Sequence, residues 1–271
     1  MLQIFEFYFY QMKLKIMNTK KKIKTFENKG VIVIKKVLNN SQIKKLKTEL
    51  ENAIQEDSKR YPNVFDKGMV HNCMIRGTNM RLLLDNKVMN YWLGKLFSET
   101  CIIYAYQSSS LPPNQKNYGS RIHVDSPRFI KGYSTNLSIF FPLDDFTIKN
   151  GATYYLPNSH KSPDIPSEKF FYKNAKRLIC KAGDMIVINP RVFHAAGFNA
   201  TSTPRHALTI NFCRSFMKTR FDFPRLVPKN ILKKLKNKGK QLIGMNVRVP
   251  TSLDEFYLPE KKRLYKANQE R

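Results

Sequence analysis

Two hydrophobic rhythms divide this chain. In its first hundred residues the apolar positions fall mainly at helical spacing. Ile43, Leu46, Leu50 and Ile54 recur three or four positions apart, which predicts an amphipathic helix with Ser41 as its N-cap and an end before Pro62. A β-branched run over 31–38, VIVIKKVL, precedes it and reads as a strand. A second short helix is expected around 87–98, and residues 63–85 show no clear period. From Cys101 the rhythm shortens to runs such as CIIYAYQ, RIHVD, TNLSIFFPL, ATYYLP, RLIC, DMIVINP and HALTINFCR. Turn signals separate them, including Asn150-Gly151, Pro157-Asn158 and Gly183-Asp184. Many short strands at regular spacing predict a mainly β protein built as a double-sheet sandwich or barrel, with helices packed outside it. After Arg220 the strand period is lost, and residues 229–242 read as a basic helix leading into a charged tail. The expected organisation is an extension over 1–16, a β domain with flanking helices over 17–220, and a basic helix and tail over 221–271 that pack on the domain or extend from it.

Composition narrows the picture. Hydrophobic residues make up 42% of the 271 and aromatics 12%, enough for a sizeable core. The four cysteines form no C-x-x-C, which predicts free thiols and a reducing, cytoplasmic location. No apolar run approaches the ~20 residues of a membrane-spanning helix. The opening MLQIFEFYFY lacks the basic start and small-residue cleavage site of a signal peptide, and Met12 or Met17 is the expected natural start. The formal charge of +28 raises the possibility of a nucleic-acid partner. No aromatic-basic RNA motif or helix-turn-helix signature accompanies it, and lysine is spread along nearly the whole chain among many Asn and Ile, as an AT-rich genome would encode. No nucleic-acid partner is therefore expected; a net-positive surface favours an anionic small-molecule substrate.

The chemistry concentrates in three places. In RIHVDSP, His123 and Asp125 stand two apart, so an extended chain turns both to one face and Val124 to the other. Alone such a pair is as well explained by a histidine hydrogen-bonded to a carboxylate. His194 follows the run DMIVINP and completes two imidazoles and one carboxylate, the set that leaves one face of an Fe(II) open. Arg205 opens the next apolar strand; a buried arginine is costly unless paired, and a dicarboxylate would pair with it through a two-pronged hydrogen bond.

From about Gly30 to Arg214 the chain resembles the phytanoyl-CoA dioxygenase family of Fe(II)/2-oxoglutarate oxygenases. His123-Val124-Asp125, PLDDFTIKNGATYYLPNSHK over 142–161, Gly183-Asp184, His194 and Arg205 carry the resemblance, in the family's order. It implies a double-stranded β-helix, a jelly roll of the cupin kind. It implies Fe(II) ligation by His123, Asp125 and His194, with O2 and 2-oxoglutarate as co-substrates and Arg205 on the distal carboxylate. Gln107, five residues before Pro112-Pro113, and Phe140 resemble positions that touch the co-substrate and form an aromatic wall. The implied reaction couples decarboxylation of 2-oxoglutarate to succinate and carbon dioxide with hydroxylation, or desaturation, of an aliphatic C–H. Asp125 fills the place where halogenating relatives keep a small residue. The family's P-G-S-H reads Pro157-Asn158-Ser159-His160 here; Asn tolerates positive φ best after glycine, so the turn should survive with His160 structural. Leu111 stands where a lysine often precedes the Pro-Pro pair. His206 should face away from Arg205. A catalytically silent binder of the same fold is the competing expectation.

Overall fold

The computed structural model describes residues 17–64, 66 and 68–269; the expected extension over 1–16 lies outside them. A helix, α1, covers residues 17–29. It is followed by β1 (Val31–Ile34) and α2 (Asn40–Arg60), then the short helices α3 (Thr78–Leu82) and α4 (Lys87–Leu96). The remaining strands are β2 (Ile102–Ser108), β3 (Asn136–Pro142), β4 (Tyr154–Tyr155), β5 (Lys176–Arg177), β6 (Met185–Ile188), β7 (His194–Ala195) and β8 (Ala207–Cys213), with α5 (Glu168–Asn174) between β4 and β5. The tail forms α6 (Phe223–Leu226), α7 (Lys229–Leu232), α8 (Asn237–Leu242) and α9 (Leu253–Phe256).

The strands make two antiparallel sheets: a five-stranded one in the order β1-β6-β3-β8-β2 and a three-stranded one in the order β5-β4-β7. This is a double-stranded β-helix. Helical residues outnumber strand residues, about 35% against 18%, so the topology rather than the content defines the fold. Alternation divides each strand between two cores. Ile139, Val187, Ile210 and Phe212 face α2 to α4 and α8 and belong to the main core. Their neighbours Ile186, Ile188 and Ala207 face the small sheet and join Phe146, Leu178 and Val192 in the barrel interior.

Several boundaries differ from expectation for identifiable reasons. The N-cap of α2 is Asn39, not Ser41. Its side chain accepts from the Gln42 N–H, and the Gln42 side chain accepts from the Asn39 N–H, a complete capping box. The β1 strand stops at Ile34 because Asp184 draws the chain aside: its carboxylate accepts from the Lys36 and Lys181 N–H groups and pairs with Lys35 Nζ at 2.8 Å. Burial alone would raise the Asp184 pKa, but these donors hold it below the usual carboxylate range. The neighbouring Gly183 has φ +81°, and a Cβ there would meet the Leu38 carbonyl at 2.5 Å. RIHVD forms no strand, only a one-residue bridge between His123 and His194. The basic helix expected over 229–242 is broken into α7 and α8. Lysines such as Lys229/Lys233 and Lys236/Lys240 repel at i,i+4 spacing, and Leu235 turns into the core at the break. With Leu242 and Ile243 also buried there, the tail packs on the sheet's helical side.

Candidate metal centre

His194 reaches the barrel through β7, where it pairs with Tyr155 of β4. His123 is held opposite by a reciprocal backbone bridge: its N–H donates to the His194 carbonyl at 3.0 Å, and its carbonyl accepts from the His194 N–H at 2.9 Å. Asp125 is fixed two residues on, where its N–H donates to the Pro190 carbonyl at 2.8 Å. Ile122 and Val124 pack with Phe193 and Ala195 outside the small sheet. The alternation inferred from H-x-D therefore survives without a strand, because backbone bonds to 190 and 194 keep the segment extended.

The ligand atoms of His123, Asp125 and His194 all lie within 4.8 Å of one another. Asp125 Oδ1 is 3.7 Å from His123 Nε2 and 3.8 Å from His194 Nε2. The two imidazole centroids are 4.2 Å apart. Each ring's Nδ1 lies against the carbonyl two residues before it, Arg121 at 2.8 Å and Val192 at 2.9 Å. A ring donating from Nδ1 in this way presents its Nε2 lone pair inward, the tautomer a metal needs. Burial, then the neighbouring His194, lowers the pKa of His123, which keeps that ring neutral. Two imidazoles and a carboxylate converging on one point fit Fe(II).

Arg205 is 2% exposed and has no carboxylate partner among the described residues. Its Nη1 donates to the Gly151 carbonyl, its guanidinium lies 4.1 Å from the Phe146 ring, and its Nε is buried without a partner. Burial pushes its pKa down to about 10. The Gly151 contact depends on glycine: φ is +78°, and a Cβ would meet Leu111 Cδ2 at 2.6 Å and the Gly197 carbonyl at 2.7 Å. Leu111 is buried and bridges Arg205 through the backbone.

Register places more polar groups on the same inward face. Thr209 pairs with both Phe140 and Gln107, and Asn211 pairs with Ser138 and Ala105. Phe140 thus lies on the interior wall beside Thr209. Gln107 shares that row, but its Oε1 accepts from Arg220 Nη1 at 2.8 Å. Thr209 Oγ1 and Asn211 Oδ1 are buried without partners, and Ser138 Oγ approaches Asp125 Oδ2 at 3.4 Å. The half-buried Tyr155 shares the face of His194, and burial raises its hydroxyl pKa. These residues escaped notice in the sequence, although Thr and Asn alternating with apolar residues in ALTINFC are the mark of a polar-lined interior. His206 points the other way, its Nδ1 2.8 Å from Ser110 Oγ. His160 serves its turn, with Nε2 3.1 Å from the Glu27 carbonyl and the preceding Asn158 at φ +68°.

A jelly roll that brings two histidines and an aspartate together at one point has a group able to hold a metal ion. The sequence matches phytanoyl-CoA dioxygenase (PhyH) over residues 26–207, and the chain belongs to that family. Uncharacterised proteins of Mycobacterium tuberculosis and Mycobacterium bovis are each 34% identical over 180 residues, 65% of this chain; the match spans 66% of their own length. Dioxygenase FUM3 of Gibberella moniliformis is 24% identical over 84% of this chain and 82% of its own. In fold, the chain is similar to AviO1 from Streptomyces viridochromogenes (TM-score 0.61, 21% identity, 72% of this chain and 94% of that one). It is also similar to SnoN, a non-haem alpha-ketoglutarate-dependent epimerase from nogalamycin biosynthesis (TM-score 0.56, 16% identity, 72% and 82%). No helix among the described residues is long and apolar enough to cross a membrane.

Proposed function

We propose that this protein is an Fe(II)- and 2-oxoglutarate-dependent dioxygenase that hydroxylates, or desaturates, an aliphatic C–H of a small-molecule metabolite, releasing succinate and carbon dioxide. The observation that carries the reading is the pairing of a three-ligand cluster with Arg205, a buried cation that has no carboxylate in salt-bridge contact among the described residues. A buried unpaired charge is expensive, and an anionic ligand would offset that cost. Relatives named dioxygenases add support.

When bound, Fe(II) supplies the activation of O2 that no side chain can perform. His123 and His194 would hold it through Nε2, and Asp125 through its carboxylate. Arg205 would take the distal carboxylate of 2-oxoglutarate in a charge-assisted pair. Thr209 Oγ1 and Asn211 Oδ1 offer hydrogen bonds that no other described residue uses. Phe140 and the apolar residues around it keep water from the wall. Gln107, tied to Arg220, would act at the margin of the co-substrate site. With a carboxylate at Asp125, no ligand place is left for a halide, which favours hydroxylation or desaturation over halogenation.

Anaerobic addition of Fe(II) and then 2-oxoglutarate tests this. A weak visible charge-transfer band should appear, and should be absent in Asp125→Ala and Arg205→Met. No band in the intact protein would reject the oxygenase in favour of a silent binder of the same fold.

A further inference from the structure

A cavity of about 550 Å³ lies between α1, the end of α4, the loop 128–134, the turn at His160 and residues 189–191. Five cations line it: Lys95, Arg128, Lys131, Lys161 and Arg191, against one acid, Glu27. A chain with 48 basic and 20 acidic residues has many unpaired lysines, so their number alone means little. What sets this place apart is that five cations converge on one concavity. Elsewhere Lys35, Lys47, Arg76 and Lys181 each meet a carboxylate. None of these five does among the described residues.

Arg191 is the most constrained of them. Its guanidinium donates to the carbonyls of Pro127 at 2.8 Å and Ser162 at 3.1 Å and lies over the Phe129 ring. Its Nε is buried without a partner, and burial lowers its pKa. Backbone carbonyls have thus organised a guanidinium without neutralising it. Behind the cations, Ile23, Phe26 and Leu96 give the cavity an apolar floor continuous with the main core. An organic anion, with a charged head and an apolar body, matches both surfaces. Guanidinium and ammonium groups together suit phosphate oxygens, which accept from several donors at once.

We propose that this cavity binds a phosphate-bearing small organic molecule, its phosphate held by Arg128, Lys131, Lys161 and Arg191 and its apolar part against Ile23, Phe26 and Leu96. Arg205 is not among the residues that line it, and the lining segments run close along the chain to the ligand set. Asp125 and Arg128 are three residues apart, as are Arg191 and His194, so no more than about 10 Å of extended chain divides them.

Calorimetric titration of the metal-free full chain with phenyl phosphate and with inorganic phosphate tests the proposal without reference to the oxygenase reading. Phenyl phosphate should bind saturably and several-fold tighter than inorganic phosphate. The exposed pair Arg128→Gln/Lys131→Gln should weaken it by about tenfold or more, the scale of lost charge-assisted hydrogen bonds. The control pair Lys44→Gln/Lys45→Gln, exposed on α2, should leave it unchanged. Absence of saturable binding, or equal weakening by both pairs, would overturn the site. Equal affinity for the two ligands would overturn its preference for an organic phosphate.

Discussion

The two faces of the five-stranded sheet are made by the same strands and differ in almost every physical respect. Toward the helices, Ile139, Val187, Ile210 and Phe212 are fully buried hydrocarbon. Toward the small sheet, one residue along each strand, the face carries Ser138, Phe140, Thr209 and Asn211 beside the apolar Ile186, Ile188 and Ala207, with Arg205 two residues before the start of β8. The first face gains from every apolar atom it removes from water. The second holds Thr209 Oγ1, Asn211 Oδ1 and Arg205 Nε without partners, and each such group costs free energy. The difference separates two roles: one face is closed by the chain's own hydrocarbon, and the other leaves polar atoms that a ligand would satisfy.

Substitutions on either face can break or sharpen this contrast. The largest effect is expected at the ligand set. Asp125→Ala should reduce succinate release to background and weaken Fe(II) binding while leaving the thermal midpoint nearly intact, since its side chain is partly open; unchanged turnover would refute the ligand assignment. On the closed face, Phe212→Ala should cost about 3–5 kcal/mol in a denaturant titration. It should not alter 2-oxoglutarate affinity per folded molecule.

Arg205→Met should separate the faces most clearly. Its folded pKa of about 10 lies below the ordinary 12.5, so below about pH 10 the charged form opposes folding and the protein gains stability as pH rises through that value. Removing the charge should therefore leave the empty protein as stable or more stable. The same change should cost about 2–5 kcal/mol of 2-oxoglutarate affinity, read by titration at neutral pH. A marked loss of stability would mean that Arg205 is structural.

Thr209→Val should be smaller still: unfolding free energy unchanged or raised by about 1 kcal/mol, with co-substrate affinity reduced by a few-fold. The smallest effect is expected from thiol reagents. All four cysteines are buried, and burial pushes Cys101 and Cys180 up to about 12. A chromogenic disulfide at pH 8 should react with none of the four in the folded protein and with all of them after denaturation.

Much of this was legible in the chain. H-x-D, the later histidine and Arg205 are local signals whose chemistry survives any arrangement that brings them together. The short apolar runs from Cys101 onward announced the strands, and Asn158 accepted the positive φ of its turn. The helix start at Asn39 was also in the text, since the capping box is a two-residue pattern. It was missed because Ser41 is a good cap by type alone.

Other features had no local signature. That RIHVD is an extended segment bridged to His194, rather than a strand, depends on partners some seventy positions away. Thr209 and Asn211 look like ordinary strand residues until register sets them on the inward face. The cavity at Arg191 is made from five distant segments, so no window of sequence contains it. The sequence alone determined which groups could bind a metal and an anion, because side-chain chemistry is intrinsic. Only the tertiary structure decided which polar atoms are buried without partners, because burial and pairing belong to the packed chain and to no residue by itself.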